Sequence, residues 1–550
     1  MTPDNPIQNL TLGQMLDRTV ARYPDHDAVV YADRGYRLTW RQFNDQVDRL
    51  ARGLMALGVK RNEKVAVWAT NVPHWVALQF ATARIGAVLL TINTNYRTSE
   101  LDYILRQSDA ENLFIIDRLR DSDFLASVYE LVPELKTMPR DRLRSVKYPF
   151  LKRLFFLGPE KHRGFYAMPE LLALAGQVSD EAYRARQAEL DPSDVVNMQY
   201  TSGTTGFPKG VMLTHVNIGT NGWWIGKNQN LTGDDRVCIP VPLFHCFGCV
   251  LGVMACVNHG AAMVILEKFE PVTAMAAVET ERCTALYGVP TMFIAILEHP
   301  LRDKFSFASL RTGIMAGSPC PVKSMRQCVD ILNMREVTIC YGLTENSPVM
   351  TQTLYNEPDL GRKCSTVGRA MPGIEVAIFH PDTGERCPPN TPGEVCCRGY
   401  SVMKGYYKMP EETALAIDRD GWLHSGDVGV EDEQGYFAIT GRIKDMIIRG
   451  GENIYPKEIE DFIHHMPGIQ DVQVVGVPSK KYGEQPGAFI ILKPGAALTE
   501  ADVQDFCRNK ISWYKIPKFV AFTAAYPQTA SGKIQKYKLR EEAARLWPDA

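Results

Sequence analysis

No apolar run in this sequence is long enough to cross a bilayer. The longest, Cys246–Val257, is about twelve residues broken by glycines, against the roughly 18–20 that a spanning helix needs. The opening Met1-Thr-Pro-Asp-Asn-Pro6 has no basic segment followed by an apolar one, so no signal peptide is expected. An excess of one charge is also missing. With 61 basic and 63 acidic side chains the formal net charge is −2, which gives no basis for a nucleic-acid or anionic-membrane partner. Phosphate-rich ligands must then be held by locally placed donors. Nor is there a disulfide framework: thirteen cysteines are scattered without regular spacing, which suits a reducing cytoplasm. One cluster, His245-Cys246-x-x-Cys249 with Cys256 and His259 downstream, has zinc-ligand residue types. No second CxxC pair accompanies it and its setting is apolar, so small buried core thiols are expected there. Internal repeats and low-complexity tracts are absent as well.

What is present is 550 residues of globular composition, 45% hydrophobic and 23% charged, enough for two or more domains. The N-terminal part alternates strand-like and helix-like stretches. Lys64–Ala69, Ala87–Ile92, Glu111–Ile116 and Ala262–Leu266 read as strands, while Val47–Leu57 and Trp75–Ile85 carry apolar residues at helical spacing. Such alternation predicts a layered α/β architecture with mainly buried sheets. The charged stretch Arg118–Arg186 reads as a surface excursion. From Gly384 to Gly435, short strand-like runs separated by Pro, Gly and Asp predict a smaller β-rich subdomain. The last hundred or so residues form an α+β pattern, with helices at Pro456–His465 and Glu500–Lys510 and strands at Val472–Val477 and Ala488–Leu492. A boundary at Lys444 divides the chain into residues 1–443 and 444–550.

The strongest local signal is Tyr200-Thr-Ser-Gly-Thr-Thr-Gly-Phe-Pro-Lys-Gly210. Thr201, Ser202, Gly203, Thr204, Thr205 and Gly206 are all hydroxyl residues or glycines. Glycines let main-chain N–H groups approach an anion, hydroxyls add donors, and Lys209 adds a compact positive charge. The spacing is not that of a Walker A loop, which disfavours a kinase or motor ATPase. This segment resembles the signature of the adenylate-forming superfamily, which contains acyl-CoA synthetases, peptide-synthetase adenylation domains and beetle luciferases. Further motifs of that superfamily follow in order across nearly the whole chain.

The resemblance implies roles residue by residue. Tyr341-Gly342-Leu-Thr344-Glu345 is similar to the second nucleotide motif, with Thr344 on the α-phosphate and Glu345 as the Mg²⁺ ligand. Magnesium prefers carboxylate and phosphate oxygens and keeps much of its water, so one carboxylate suffices. Gly317-Ser318-Pro319 resembles the segment flanking adenine. Asp427, in Ser425-Gly-Asp-Val-Gly429, matches the aspartate on the ribose hydroxyls, and Arg442 the arginine that also reaches the ribose. A mutual salt bridge is the plainer role for that pair. Lys444 matches the hinge of a mobile C-terminal domain. Gly450 and Gly451 resemble the loop lining the pantetheine tunnel of coenzyme A. Pro527-Gln-Thr-Ala-Ser-Gly-Lys533-Ile534 resembles the catalytic-lysine motif. An ammonium that bridges attacking oxygen, phosphoryl oxygens and leaving pyrophosphate more closely in the transition state than before it accelerates adenylation.

The implied activity is ATP-dependent acid:CoA ligation in two half-reactions, with the small domain rotating about Lys444 between them and no covalent enzyme intermediate. By the same resemblance, Pro242-Leu-Phe-His245-Cys-Phe-Gly248 opens the wall of the acyl pocket, with His245 near the carboxylate. Gly248, Gly252 and Ala255 are expected to leave space, Val250, Leu251, Met254, Met315 and Ala316 to form walls, and Trp223 or Trp224 to close the end. No Asp or Glu lies in Leu243–Val257, which disfavours an amino-acid substrate, and the medium-chain acyl-CoA synthetase branch is the nearest resemblance. The competing readings are aryl or dicarboxylic acids, acyl loading onto a carrier protein, and a nucleotide-binding protein without turnover. A homodimer is compatible with the sequence.

Overall fold

The computed structural model describes residues 5–201, 208–318, 320–449, 452–508, 510–528 and 534–548. By their internal contacts the residues divide into two compact units, one made of residues up to 375 together with 397–423, the other of 376–396 and 424–550.

The first unit is built on two large sheets. In one, nine strands run in the order Arg369–Ala370, Val349–Gln352, Glu336–Gly342, Thr312–Ala316, Ala285–Gly288, Arg236–Ile239, Ala262–Ile265, Asp27–Tyr31 and Tyr36–Thr39. The six strands from Glu336–Gly342 to Asp27–Tyr31 are parallel, and antiparallel strands close both ends. The other has eight strands, Gly405–Tyr406, Lys209–Thr214, Val195–Thr201, Val88–Thr91, Lys64–Trp68, Asn112–Ile115, Arg153–Phe156 and Phe165–Ala167. The parallel strands are nearly continuous apolar runs because helices cover both faces, which is why they stand out in the sequence. The expected strands form as Lys64–Trp68, Val88–Thr91, Asn112–Ile115 and Ala262–Ile265, and the expected helices as Trp40–Ala56 and Pro73–Arg84. Thr39 starts the first of these helices with a reciprocal capping box to Gln42.

Arg118–Arg186 is not merely a surface excursion. Arg153–Phe156 and Phe165–Ala167 extend the eight-stranded sheet, and Phe155 stacks on Phe114 at 4.2 Å inside it. The surrounding charge hid these strands because they are only four and three residues long, shorter than any window that shows a period.

The N-terminal helix Leu12–Arg22 is tied down by a histidine. His215, almost fully buried, accepts the Leu12 N–H on Nδ1 at 3.1 Å, and burial depresses its pKa to about 4. The unfolded chain therefore takes up this proton first, near pH 6.5. Unfolding is favoured progressively as pH falls from 6.5 to about 4, by of order 3 kcal/mol in all. His215→Asn keeps an acceptor at Nδ1 without the titration. Urea unfolding of that variant between pH 4 and 6.5 is expected to show a shallower loss of stability than wild type, and parallel curves would rule the account out.

Strands Ile374–Phe379, Gly393–Gly399, Leu423–Glu431 and Phe437–Arg442, most of whose residues belong to the second unit, make a four-stranded sheet, as the Pro/Gly/Asp texture predicts. A second sheet contains Glu452–Ile454, Ile447–Arg449, Gly483–Leu492 and Ile469–Ser479, with Phe519–Phe522 added on Gly483–Leu492. Helix Pro456–His464 packs Ile459 and Ile463 into its core, and Glu500–Cys507 packs Val503 and Cys507. This last helix stops short of the expected Lys510, with Arg508 already extended. The closing helix Lys536–Leu546 buries Leu539 and Ala543 against Val475, Val477 and Phe489. No helix among the described residues is long and apolar enough to cross a membrane.

Candidate active site

Three of the parallel strands in the nine-stranded sheet end next to residues of interest. Arg236–Ile239 leads to His245, Thr312–Ala316 to Gly317 and Ser318, and Glu336–Gly342 to Thr344 and Glu345. The carboxyl ends of parallel strands are where open α/β sheets bind ligands, because loops diverge there and leave a crevice.

Glu345 is the centre of the described cluster. Thr201, the last residue of Val195–Thr201, donates through Oγ1 to Glu345 Oε1 at 3.3 Å, and the Tyr406 hydroxyl donates to the same oxygen at 3.0 Å. Lys209 stands directly across the hairpin from Thr201. Its Nζ lies 5.0 Å above the Tyr406 ring, a cation–π arrangement. The short strand Gly405–Tyr406 pairs with Lys209–Thr214, which brings Tyr406 beside that hairpin. Burial, and next the Glu345 carboxylate, push the Tyr406 phenol above its usual pKa, so it remains a donor. Tyr406 was not visible as a site residue in the sequence; it sits on a two-residue strand about two hundred positions from Thr201.

The Thr344–Asn346 turn is held by its surroundings. The Glu345 carbonyl accepts from Met403 N–H at 2.8 Å. Fully buried Asn346 accepts from Ser401 Oγ at 2.7 Å and Cys397 Sγ at 3.0 Å. Gly342 allows the chain to double back: a Cβ there would sit 1.8 Å from the Pro348 carbonyl oxygen. Gly342→Ala is therefore expected to destabilise the fold by about 3 kcal/mol or more, since backbone cannot yield as a side chain can, and to raise KM for ATP. Denaturant midpoints and initial rates measure both, and an alanine variant with wild-type stability would refute the packing argument. Thr344 is buried, with Oγ1 3.8 Å from Cys246 Sγ. One residue before Cys246, His245 Nδ1 accepts the Phe247 N–H at 3.2 Å, so the neutral ring carries its proton on Nε2. Tyr341 is half-buried on its strand, and Gly317 takes φ +90° in an exposed loop with Ser318.

The second unit holds another part of the expected set. Asp427 and Arg442 are opposite each other on adjacent antiparallel strands and form an ion pair, Arg442 Nε to Asp427 Oδ1, at 2.8 Å. The mutual salt bridge named as their plainer role is present, and it leaves Arg442 half exposed. Lys444, in the turn Ile443–Asp445, has its pKa lowered, first by burial and then by Arg442. Asp445 pairs with Arg540 of the closing helix, and Lys536 with Glu460. Gln528 and Ile534, within the segment expected to carry the catalytic lysine, form an antiparallel bridge. Ser202, Gly203, Thr204, Thr205, Gly206, Pro319, Gly450, Gly451 and Lys533 lie outside the described residues.

The segment after His245 corrects part of the expected acyl wall. Phe247–Met254 is a π-helix continued by the α-helix Ala255–His259, a rare geometry often found at functional sites. Gly248 and Gly252 do not leave open space on their Cβ sides. A Cβ on Gly248 would lie 2.4 Å from the Pro242 oxygen, and one on Gly252 3.1 Å from Ile239. They admit neighbouring protein atoms. Met315 belongs to the hydrophobic core, and Trp223 stacks on His259 at 4.7 Å. His259 Nε2 meets the Trp223 carbonyl and Cys249 Sγ meets the Gln199 amide.

Comparison with known proteins identifies the family of the chain. The model of the AMP-binding enzymes matches residues 16–407, and that of the AMP-binding enzyme C-terminal domain residues 458–533. The chain is 52% identical over 98% of both lengths to YngI of Bacillus subtilis (strain 168), which is named as a candidate acyl-CoA synthetase. It is 40% identical to the mitochondrial medium-chain acyl-CoA ligase ACSF2 of Rattus norvegicus, over 98% of this chain and 88% of that protein. Among solved structures, ATP-bound MatB from Rhodopseudomonas palustris is 28% identical with a TM-score of 0.84, covering 98% of this chain and 100% of that one. A Mycobacterium tuberculosis fatty acyl CoA synthetase is 27% identical with a TM-score of 0.73, over 99% and 100%. The chain belongs to the AMP-binding enzyme family, among its AMP-forming acyl-CoA synthetases.

Proposed function

We propose that this enzyme activates a medium-chain aliphatic acid with ATP, releases pyrophosphate, and passes the acyl group from AMP to the thiol of coenzyme A. The observation that carries the nucleotide part is the meeting of Thr201 and Tyr406 at Glu345, with Lys209 over the Tyr406 ring and across the strand pair from Thr201. Two hydroxyls on one carboxylate with a cation close by, next in sequence to the hydroxyl- and glycine-rich Ser202–Gly206, suit a polyphosphate. The fit to magnesium rests on the same carboxylate. Both contacts from the described residues fall on Oε1, and the carboxylate is the hard oxygen donor that such a cation would take. Bound there, magnesium would neutralise phosphate charge.

In the first half-reaction the substrate carboxylate attacks the α-phosphorus and the bond to pyrophosphate breaks. Thr344 donates to the α-phosphate, Lys209 and the Thr201–Gly206 segment hold the triphosphate, and Lys533 bridges the groups whose charge grows. Asp427 accepts from the ribose hydroxyls with Arg442 beside it, and Gly317, Ser318 and Pro319 flank the adenine. In the second, the coenzyme A thiolate attacks the acyl carbonyl, the carbonyl–oxygen bond to phosphate breaks, and AMP leaves. His245, with its Nε2 proton, stands near the carboxylate. Gly450 and Gly451 line the pantetheine path, and Lys444 is the pivot between the two arrangements. With positioning alone worth roughly 7–11 kcal/mol of barrier, no enzyme nucleophile is required.

The medium-chain assignment draws on the ACSF2 similarity and on a Leu243–Val257 segment without Asp or Glu. The cysteines, buried except for Cys320 and Cys387, fit a reducing cytoplasm. Pyrophosphate release measured on straight-chain acids from butyric to myristic, benzoates and dioic acids tests the substrate. Each methylene that finds apolar room contributes about 0.8 kcal/mol, so kcat/KM is expected to rise about fourfold per methylene up to a mid-length optimum. Faster turnover of a benzoate or a dioic acid would overturn this choice, and a carrier protein outperforming coenzyme A would replace the acceptor.

A further inference from the structure

The four-stranded sheet of the second unit brings Glu394, Cys396 and His424 to one point, with one ligand-type atom from each within 4.8 Å of the others. Glu394 and Cys396 are two apart on Gly393–Gly399 and project from one face. His424 stands on the neighbouring strand Leu423–Glu431. His424 Nδ1 is 2.8 Å from Glu394 Oε2 and 3.5 Å from Cys396 Sγ. The second Glu394 oxygen, Oε1, accepts the Gly426 N–H at 2.9 Å. Cys396 is wholly buried, and the other two are half-buried.

We infer that these three side chains bind a borderline divalent cation of the zinc type, which pins the strand segment leading to Asp427. Thiolate, imidazole and carboxylate are all zinc donors, with bonds of about 2.3, 2.0–2.1 and 2.0–2.2 Å. At tetrahedral angles those bonds separate sulfur from nitrogen by about 3.6 Å and nitrogen from oxygen by about 3.4 Å. The Cys396–His424 edge, 3.5 Å, already has that length. The Glu394–His424 edge, 2.8 Å, is a hydrogen bond and must lengthen by roughly 0.6 Å as the cation replaces its proton. Glu394 makes that adjustment while Oε1 stays on Gly426, and a backbone donor of this kind orients a ligating carboxylate. Binding releases the Cys396 thiol proton to solvent, exchanges the Nδ1 proton of His424 for one on Nε2 so that the ligand is a neutral imidazole, and keeps the fourth position for water. The soft sulfur and the imidazole set this site apart from the all-oxygen magnesium position at Glu345.

The zinc-type residues that cluster in the sequence, from His245 to His259, are used elsewhere, whereas this group comes from strands 28 residues apart and forms only when the sheet closes. His424 precedes Asp427 by three positions on the same strand, so the ordering of that segment matters to the nucleotide if Asp427 acts as proposed above. The metal site itself does not depend on that reading.

The test uses the full-length enzyme, stripped with chelator and titrated with Co²⁺. A thiolate-to-cobalt charge-transfer band saturating at one equivalent is expected, displaced by Zn²⁺ that elemental analysis then finds at one per chain. Cys396→Ser and His424→Asn should each abolish the band and weaken zinc binding at least about tenfold, with circular dichroism unchanged. No band in wild type, or a band that survives either substitution, overturns the proposal. Should Cys396→Ser fail to fold, His424→Asn carries the same test with all thirteen thiols in place. The readout needs no substrate, so failure of every acid to be adenylated would count against the ligase reading and leave this result unaffected.

Discussion

Lys533→Ala is expected to slow acyl-adenylate formation about 10²–10³-fold while the transfer of a pre-formed acyl-adenylate to coenzyme A proceeds near the wild-type rate. The first half-reaction moves charge onto the phosphoryl oxygens and the departing pyrophosphate, and a preorganised cation there is worth about 2.7–4 kcal/mol. The second breaks no bond to pyrophosphate and has no use for that cation. Pyrophosphate release and thioester formation from synthetic acyl-adenylate, measured separately, read the two halves. Equal losses in both would show that the lysine serves the fold, and no loss in either would remove it from the mechanism. An arginine at the same position is expected to rescue poorly, because its planar fork distributes charge that the compact ammonium concentrates.

Glu345→Gln should cost at least about 10²-fold in adenylation at fixed Mg²⁺, partly recovered at high Mg²⁺. The substitution separates structure from chemistry. A glutamine oxygen still accepts from Thr201 and Tyr406, so the hairpin and the turn around Met403 keep their hydrogen bonds. What is lost is the negative charge. A melting temperature close to wild type, together with a raised Mg²⁺ requirement, is the expected pattern. A variant that unfolds would assign Glu345 a packing role, and one with a normal magnesium titration would assign the cation other ligands.

Motifs that act through contiguous backbone could be read directly. Thr201 and Lys209 face each other because a short hairpin joins them, and Thr344 and Glu345 share one turn. Asp427 and Arg442 were recognisable singly, and the antiparallel register joins them. Parallel strands such as Lys64–Trp68, buried on both faces, announced themselves by uninterrupted apolarity. Arg153–Phe156 and Phe165–Ala167 did not, since a strand of three or four residues in a charged neighbourhood carries no measurable period.

By itself the sequence set the expected reaction class, through the family resemblance of its motifs, and the order of those motifs along the chain, because such motifs are carried by residue type and local spacing. Only the tertiary structure decided what lies across from them. It placed Tyr406 on Glu345, filled the Cβ sides of Gly248 and Gly252 with protein rather than ligand, and gathered Glu394, Cys396 and His424. Those pairings depend on which strands become neighbours and in which register, and that choice is made by burial of whole sheets, a sum over many distant residues that no single stretch of chain contains.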